Sequence, residues 1–151
     1  MARDALTVRQ RALNYLARRE YTRDELYRKL LPYAEESDSL EDLLADFKAR
    51  GWLSEQRFVE QVVHARSGRY GSRYIAHELR EKGVAEELIA QALPQLKESD
   101  LETARTIWAK KFGTLPGDAK ERAKQMRFLA SRGFGQETIY KVVWGSMEED
   151  E

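Results

Sequence analysis

Apolar residues recur at three- and four-residue spacing along nearly the whole chain, and almost nowhere in strict alternation. That periodicity predicts helices and no strands. Val8, Ala12, Leu13 and Leu16 form the inner face of a first helix. Thr22 is a good N-cap for a second, with Glu25 completing a capping box and Leu26 and Leu30 facing inward before Pro32 ends it. An acidic loop, Tyr33 to Ser39, leads to a third helix from about Leu40 to Arg50, with Leu43, Leu44 and Phe47 inside. Ser54 caps a fourth (Phe58, Val62, Val63), which ends near Gly68, and Ser72 a fifth (Ile75, Leu79). A sixth spans about Ala85–Leu93 and should end or kink at Pro94; a seventh starts at Asp100, carries Ala104, Ile107 and Trp108, and closes at Gly113. An eighth covers Lys120–Arg132 beyond Pro116, and a ninth follows Gly135 with Ile139 and Val143 inward.

Three of these helices share one stop signal: Phe47-x-x-Arg50-Gly51-Trp52, Leu79-x-x-Lys82-Gly83-Val84 and Leu129-x-x-Arg132-Gly133-Phe134, with a looser version at Leu16-x-x-Arg19-Glu20-Tyr21. A cation faces the negative helix end, glycine takes the left-handed position, and an apolar residue folds back. Repetition of a helix–stop–helix unit predicts an all-α, elongated molecule of about nine helices in three tandem three-helix repeats. The expected divisions are residues 1–52, 53–97 and 98–147, followed by an acidic tail, 148–151.

Composition narrows the chemistry. The chain has 151 residues, of which 34% are charged and 42% hydrophobic, enough for a core beneath well-solvated helix faces. It has no cysteine, so disulfides and zinc–thiolate sites are absent. No apolar run approaches a membrane span, and no apolar leader follows Met1, so a soluble, cytoplasmic protein is expected. Net charge is zero but unevenly spread. Residues 32–47 hold six acids and no base, whereas residues 105–132 hold eight bases and two acids. Such blocks suit a polyanion or a charged protein surface; each alone is equally well read as a solvated helix face.

Catalytic and cofactor motifs are missing. His64 and His77 stand at no metal-ligand spacing, and there is neither a phosphate-binding loop nor a dinucleotide fingerprint. Gly68-Arg69-Tyr70-Gly71 matches a GXXG clamp by letters but lacks the flanking strands. Gln61 to His77 is free of acids and carries Arg66, Arg69 and Arg73 with Tyr70 and Tyr74 interleaved, a composition suited to phosphate contact and base stacking. A second basic patch is Lys120, Lys124 and Arg127 on one helical face, with Lys110 and Lys111 just upstream. The nine candidate contact residues are therefore Arg66, Arg69, Tyr70, Arg73, Lys110, Lys111, Lys120, Lys124 and Arg127. Arg50, Lys82 and Arg132 are read as helix-capping charges rather than binding residues.

Residues 9–144 resemble the RecX family of RecA regulators. The resemblance rests on Leu13-x-x-Leu16-x-x-Arg19-Glu20-x-Thr22-x-x-Glu25-Leu26-x-x-Lys29-Leu30, Gly51-Trp52-Leu53-Ser54-Glu55-x-Arg57-Phe58, Gly71-x-x-x-Ile75-x-x-x-Leu79-x-x-Lys82-Gly83 and Phe128-Leu129-x-x-Arg132-Gly133-Phe134, in that order. Ser54-Glu55 stands where the family commonly shows two acids, and Val59 where it commonly shows alanine. The resemblance implies a monomeric, non-enzymatic protein without cofactor that binds the groove of the RecA–single-stranded-DNA filament. It further implies inhibited filament extension or promoted disassembly, and so damped recombination, DNA repair and SOS induction. Direct DNA binding, to duplex only weakly, would be secondary. A stand-alone nucleic-acid-binding module of helix-turn-helix type is the alternative, against which the zero net charge argues.

Overall fold

The computed structural model describes residues 5–145, and among them every regular element is helical. The elements are α1 (Val8–Arg18), α2 (Arg23–Leu30) with a short 3₁₀ turn (Leu31–Tyr33), α3 (Leu40–Ala49), α4 (Glu55–Arg66), α5 (Ser72–Glu81), α6 (Glu86–Lys111), α7 (Ala119–Ser131) and α8 (Gln136–Val143). The expected acidic tail lies outside the described residues.

The three full stop signals do what their sequence predicts. Gly51, Gly83 and Gly133 have φ of +77°, +88° and +93°. The amide after each glycine reaches back five residues: Trp52 N–H to Phe47 O at 2.9 Å, Val84 N–H to Leu79 O at 3.0 Å, and Phe134 N–H to Leu129 O at 3.3 Å. This double-bonded terminus satisfies carbonyls that a helix end would leave orphaned. The looser copy behaves differently. Arg19 is extended (φ −163°) and no non-glycine residue among those described has positive φ, so α1 ends without a left-handed residue. Tyr21 is nevertheless buried.

Among the described residues eight α-helices replace the expected nine, because the predicted sixth and seventh are one. α6 runs 26 residues with Pro94 inside it. Proline removes one ladder hydrogen bond and crowds the preceding turn, at a cost of about 3 kcal/mol. Burial at both ends of α6, through Ile89 on one side and Asp100 and Ala104 on the other, holds the helix across that defect. Two smaller expectations also change. Leu13 is on the outer side of α1, 38% exposed, and α5 is capped by Gly71 rather than Ser72. Ser72 instead gives its N–H and hydroxyl to the buried Asp100 carboxylate, at 2.9 and 2.5 Å. The boxes at Thr22 and the cap at Ser54 form as read.

Three cores follow one another along the chain. Leu26, Leu30, Leu44, Phe47 and Leu53 centre the first; Phe58, Ile75, Leu79 and Ile89 the second; Ala104, Leu129, Phe134, Ile139 and Val143 the third. α6 is shared, its first half in the second core and its second half in the third. The accessible surface, 10357 Å², exceeds the roughly 7,900 Å² expected of a compact monomer of this mass, as small cores in a row require.

The second helices of the three groups meet end to end. At the first joint the Thr22 hydroxyl, at the N-terminus of α2, donates to Lys82 O at the C-terminus of α5, while Lys82 Nζ stands 3.4 Å from Glu25. At the second, Gly71 N–H at the start of α5 donates to Arg132 O at the end of α7 (2.7 Å), and Arg73 N–H to Gly133 O (3.0 Å). Each joint sets the positive end of one helix against the negative end of the next.

Candidate nucleic-acid and partner interface

The acid-free stretch between α4 and α5 does not form one patch. Arg66 is a structural pin: its guanidinium makes a two-point contact with Glu78 on α5, at 2.9 and 3.1 Å. That hydrogen-bonded pair raises the arginine pKa further, so its charge is permanent and already partnered. Tyr70 stacks on Tyr74, ring centroids 3.9 Å apart and nearly parallel. Arg69 is exposed. Arg73 leaves this group and borders a separate hollow with Lys97 and Lys141.

Arg132, read from sequence as a capping charge only, joins the tyrosines. Its Nη1 donates to Arg69 O (3.1 Å), and its guanidinium carbon lies 5.2 Å from the Tyr70 ring and 5.4 Å from the Phe128 ring. Lys111 Nζ is 5.2 Å from the same Phe128 ring, which packs edge-on against Phe112. A ribbon of alternating cations and aromatic rings therefore runs Lys111–Phe128–Arg132–Tyr70–Tyr74, across the second joint. Sequence spacing gives Phe128 and Arg132 only local roles, in the apolar period and the stop signal, and does not name their neighbours across the joint.

Lys120, Lys124 and Arg127 come together as their spacing predicts. All three are exposed on α7 around a shallow hollow of about 370 Å³, with Asp118 and Glu121 at its N-terminal end. Lys110 is exposed on the last turn of α6. Among the described residues, Arg69, Arg73, Lys110, Lys111, Lys120, Lys124 and Arg127 make no ion pair, whereas Arg9, Arg19, Arg50, Arg57, Arg66 and Arg80 each do. Positive charge on the second and third groups of helices is thus left available for an external anion.

No cluster of three or more potential metal ligands occurs among the described residues. Both histidines are exposed; His77 stands 2.9 Å from Glu81. No described helix is long and apolar enough to cross a membrane.

Comparison with known proteins places this arrangement. Sequence models of the second and third three-helix domains of RecX match residues 54–93 and 98–143. The regulatory protein RecX of Chromobacterium violaceum is 43% identical over 150 residues, covering 99% of this chain and 97% of its own. That of Leptothrix cholodnii is 45% identical over 141 residues, covering 93% and 90%. The crystal structure of RecX from Lactobacillus salivarius superimposes with a TM-score of 0.74 at 20% identity, over 91% of this chain and 92% of that one, and shows the fold. The chain belongs to the RecX family of regulatory proteins.

Proposed function

We propose that this protein is a cytoplasmic, monomeric, non-enzymatic modulator of the RecA recombinase. It binds in the groove of the RecA–single-stranded-DNA filament, limits its extension or promotes its disassembly, and so damps recombination, repair and the SOS response. The observation that carries this reading is the set of seven cations on the second and third groups of helices without an ion-pair partner among the described residues, beside a cation–aromatic ribbon. Three small cores in succession suit contact with neighbouring protomers, with the divisions at 52/53 and 97/98 making each three-helix group one contact module. Unpaired lysines and arginines meet phosphates by releasing counterions, and the tyrosines offer faces to bases.

In this reading Arg69, Arg73, Lys111, Lys120, Lys124, Arg127 and Arg132 face the filament, Lys110 adds to their field, and Tyr70 supplies a ring. Arg66 positions that ring through Glu78. Substoichiometric addition of the protein to RecA on single-stranded DNA should lower steady-state ATP hydrolysis. Unchanged hydrolysis at equimolar protein would refute the proposal, and tight sequence-selective binding to duplex without RecA would replace it.

A further inference from the structure

At the second joint, residues of α5, α6 and α8 line a half-open cavity of about 510 Å³ bordered by Arg73, Lys97, Lys141 and Thr138. We propose that it is a seat for a phosphate group of a nucleic-acid strand, which rests on the reading that this face of the molecule meets DNA.

Three cations from three helices converge there. Among the described residues Arg73 and Lys97 have no carboxylate partner, while nearby Arg66, Arg80 and Lys82 pair with Glu78, Glu86 and Glu25. Both are exposed, so an incoming anion reaches them from solvent. Two carboxylates border the cavity, and neither forms an ion pair with Arg73 or Lys97 among the described residues. Asp100 spends both oxygens on the N–H and hydroxyl of Ser72. Glu137 is 88% exposed and stands 3.6 Å from Lys141. α8 starts at this wall with Gly135 as its N-cap and no side-chain acceptor for its leading amides. Those amides add partial positive charge to the side-chain cluster.

The first joint also carries a hollow, of about 340 Å³ bordered by Arg19, Tyr21, Glu25, Arg28 and Lys29, but it differs in charge pairing. There Lys82, Arg19 and Glu25 compensate one another at the equivalent position. A strand is favoured over a protein carboxylate by continuity. Arg132 in the cation–aromatic ribbon is three residues from Gly135 on the cavity wall, and Arg73 N–H bonds Gly133 O between them. A strand stacking on the ribbon passes a phosphate over the cavity, whereas a lone carboxylate has no use for the rings.

The test is fluorescence anisotropy of labelled oligo(dT) across a sodium chloride series, alongside RecA ATPase on single-stranded DNA. Lys97→Ala should weaken oligonucleotide binding several-fold at low salt and reduce the log–log salt slope by about 0.7, one phosphate contact on a single strand. Glu137→Gln, which frees Lys141, should tighten binding; opposite signs from two exposed positions cannot come from misfolding. Unchanged slope and affinity in both variants, with ATPase inhibition intact, would overturn the seat and leave the filament reading standing. Wild-type protein that neither binds nor inhibits would overturn both. Lys97→Ala that loses ATPase inhibition but keeps the oligonucleotide slope would assign the cavity to a carboxylate of RecA and overturn the proposal. Saturation by inorganic phosphate with no displacement of oligonucleotide would assign it to a free anion, with the same consequence.

Discussion

Gly51 and Gly133 share a left-handed backbone, yet a methyl group at the two has different consequences. A Cβ on Gly51 meets nothing within 4 Å, so Gly51→Ala should cost only the backbone strain, about 1–2 kcal/mol. A Cβ on Gly133 would overlap the Cβ and backbone nitrogen of Tyr74 across the second joint. Overpacking adds roughly 1–3 kcal/mol, so urea unfolding should show Gly133→Ala clearly the more destabilised; equal midpoints would mean that the joint yields freely. Glu25 makes a pH-dependent claim at the first joint. Its burial opposes ionisation, but hydrogen bonds from Arg19 and the Thr22 N–H, with the charges of Arg19 and Lys82, outweigh that and hold its carboxyl below the usual glutamate value. Its folded pKa lies below its unfolded one, so the stabilisation is complete above the ordinary carboxylate range and is lost as pH falls through the folded value. Glu25→Gln should lower thermal stability at pH 7 and do so progressively less as pH falls below the ordinary carboxylate range, and a loss of equal size at every pH would contradict the assignment.

At the scale of elements, sequence and structure part where distant packing outweighs local preference. The glycine stops were legible because a left-handed residue is a local necessity, and Thr22 and Ser54 because caps are local hydrogen bonds. Their second use, as joints between groups, was not, since nothing in the spacing of Gly133 names Tyr74 as its neighbour. Pro94 misled for the converse reason: the proline rule states a local cost, and α6 is buried on both sides of it. Pro94→Ala would restore the hydrogen bond to the Ala90 carbonyl, with a gain of roughly 1–3 kcal/mol in stability. A melting temperature unchanged or lowered by that substitution would show instead that the proline fits α6 without cost. Of the candidate residues, the α7 set was legible because three cations at helical spacing must share a face, whereas the α4–α5 set was split by Glu78 and by the turn of α5.

For the whole molecule, zero net charge conceals a division of labour. Seven arginines of the first two groups (Arg9, Arg19, Arg23, Arg50, Arg57, Arg66 and Arg80) pair with carboxylates, while Lys110, Lys111, Lys120, Lys124 and Arg127 of the third make no ion pair among the described residues. Association with a filament carrying DNA should therefore weaken steeply with salt, although the protein has no overall positive charge to steer it. Lys120→Glu/Lys124→Glu/Arg127→Glu reverses the face of α7 without touching a core, and so separates binding from folding. The most direct measurement is the length of RecA filaments growing on single-stranded DNA, imaged with substoichiometric wild-type protein and with this triple variant. Wild type should shorten or arrest the filaments and the variant should leave them near control length. Filaments unaffected by the wild type, or shortened equally by both proteins, would contradict a groove binder that acts through its unpaired cations.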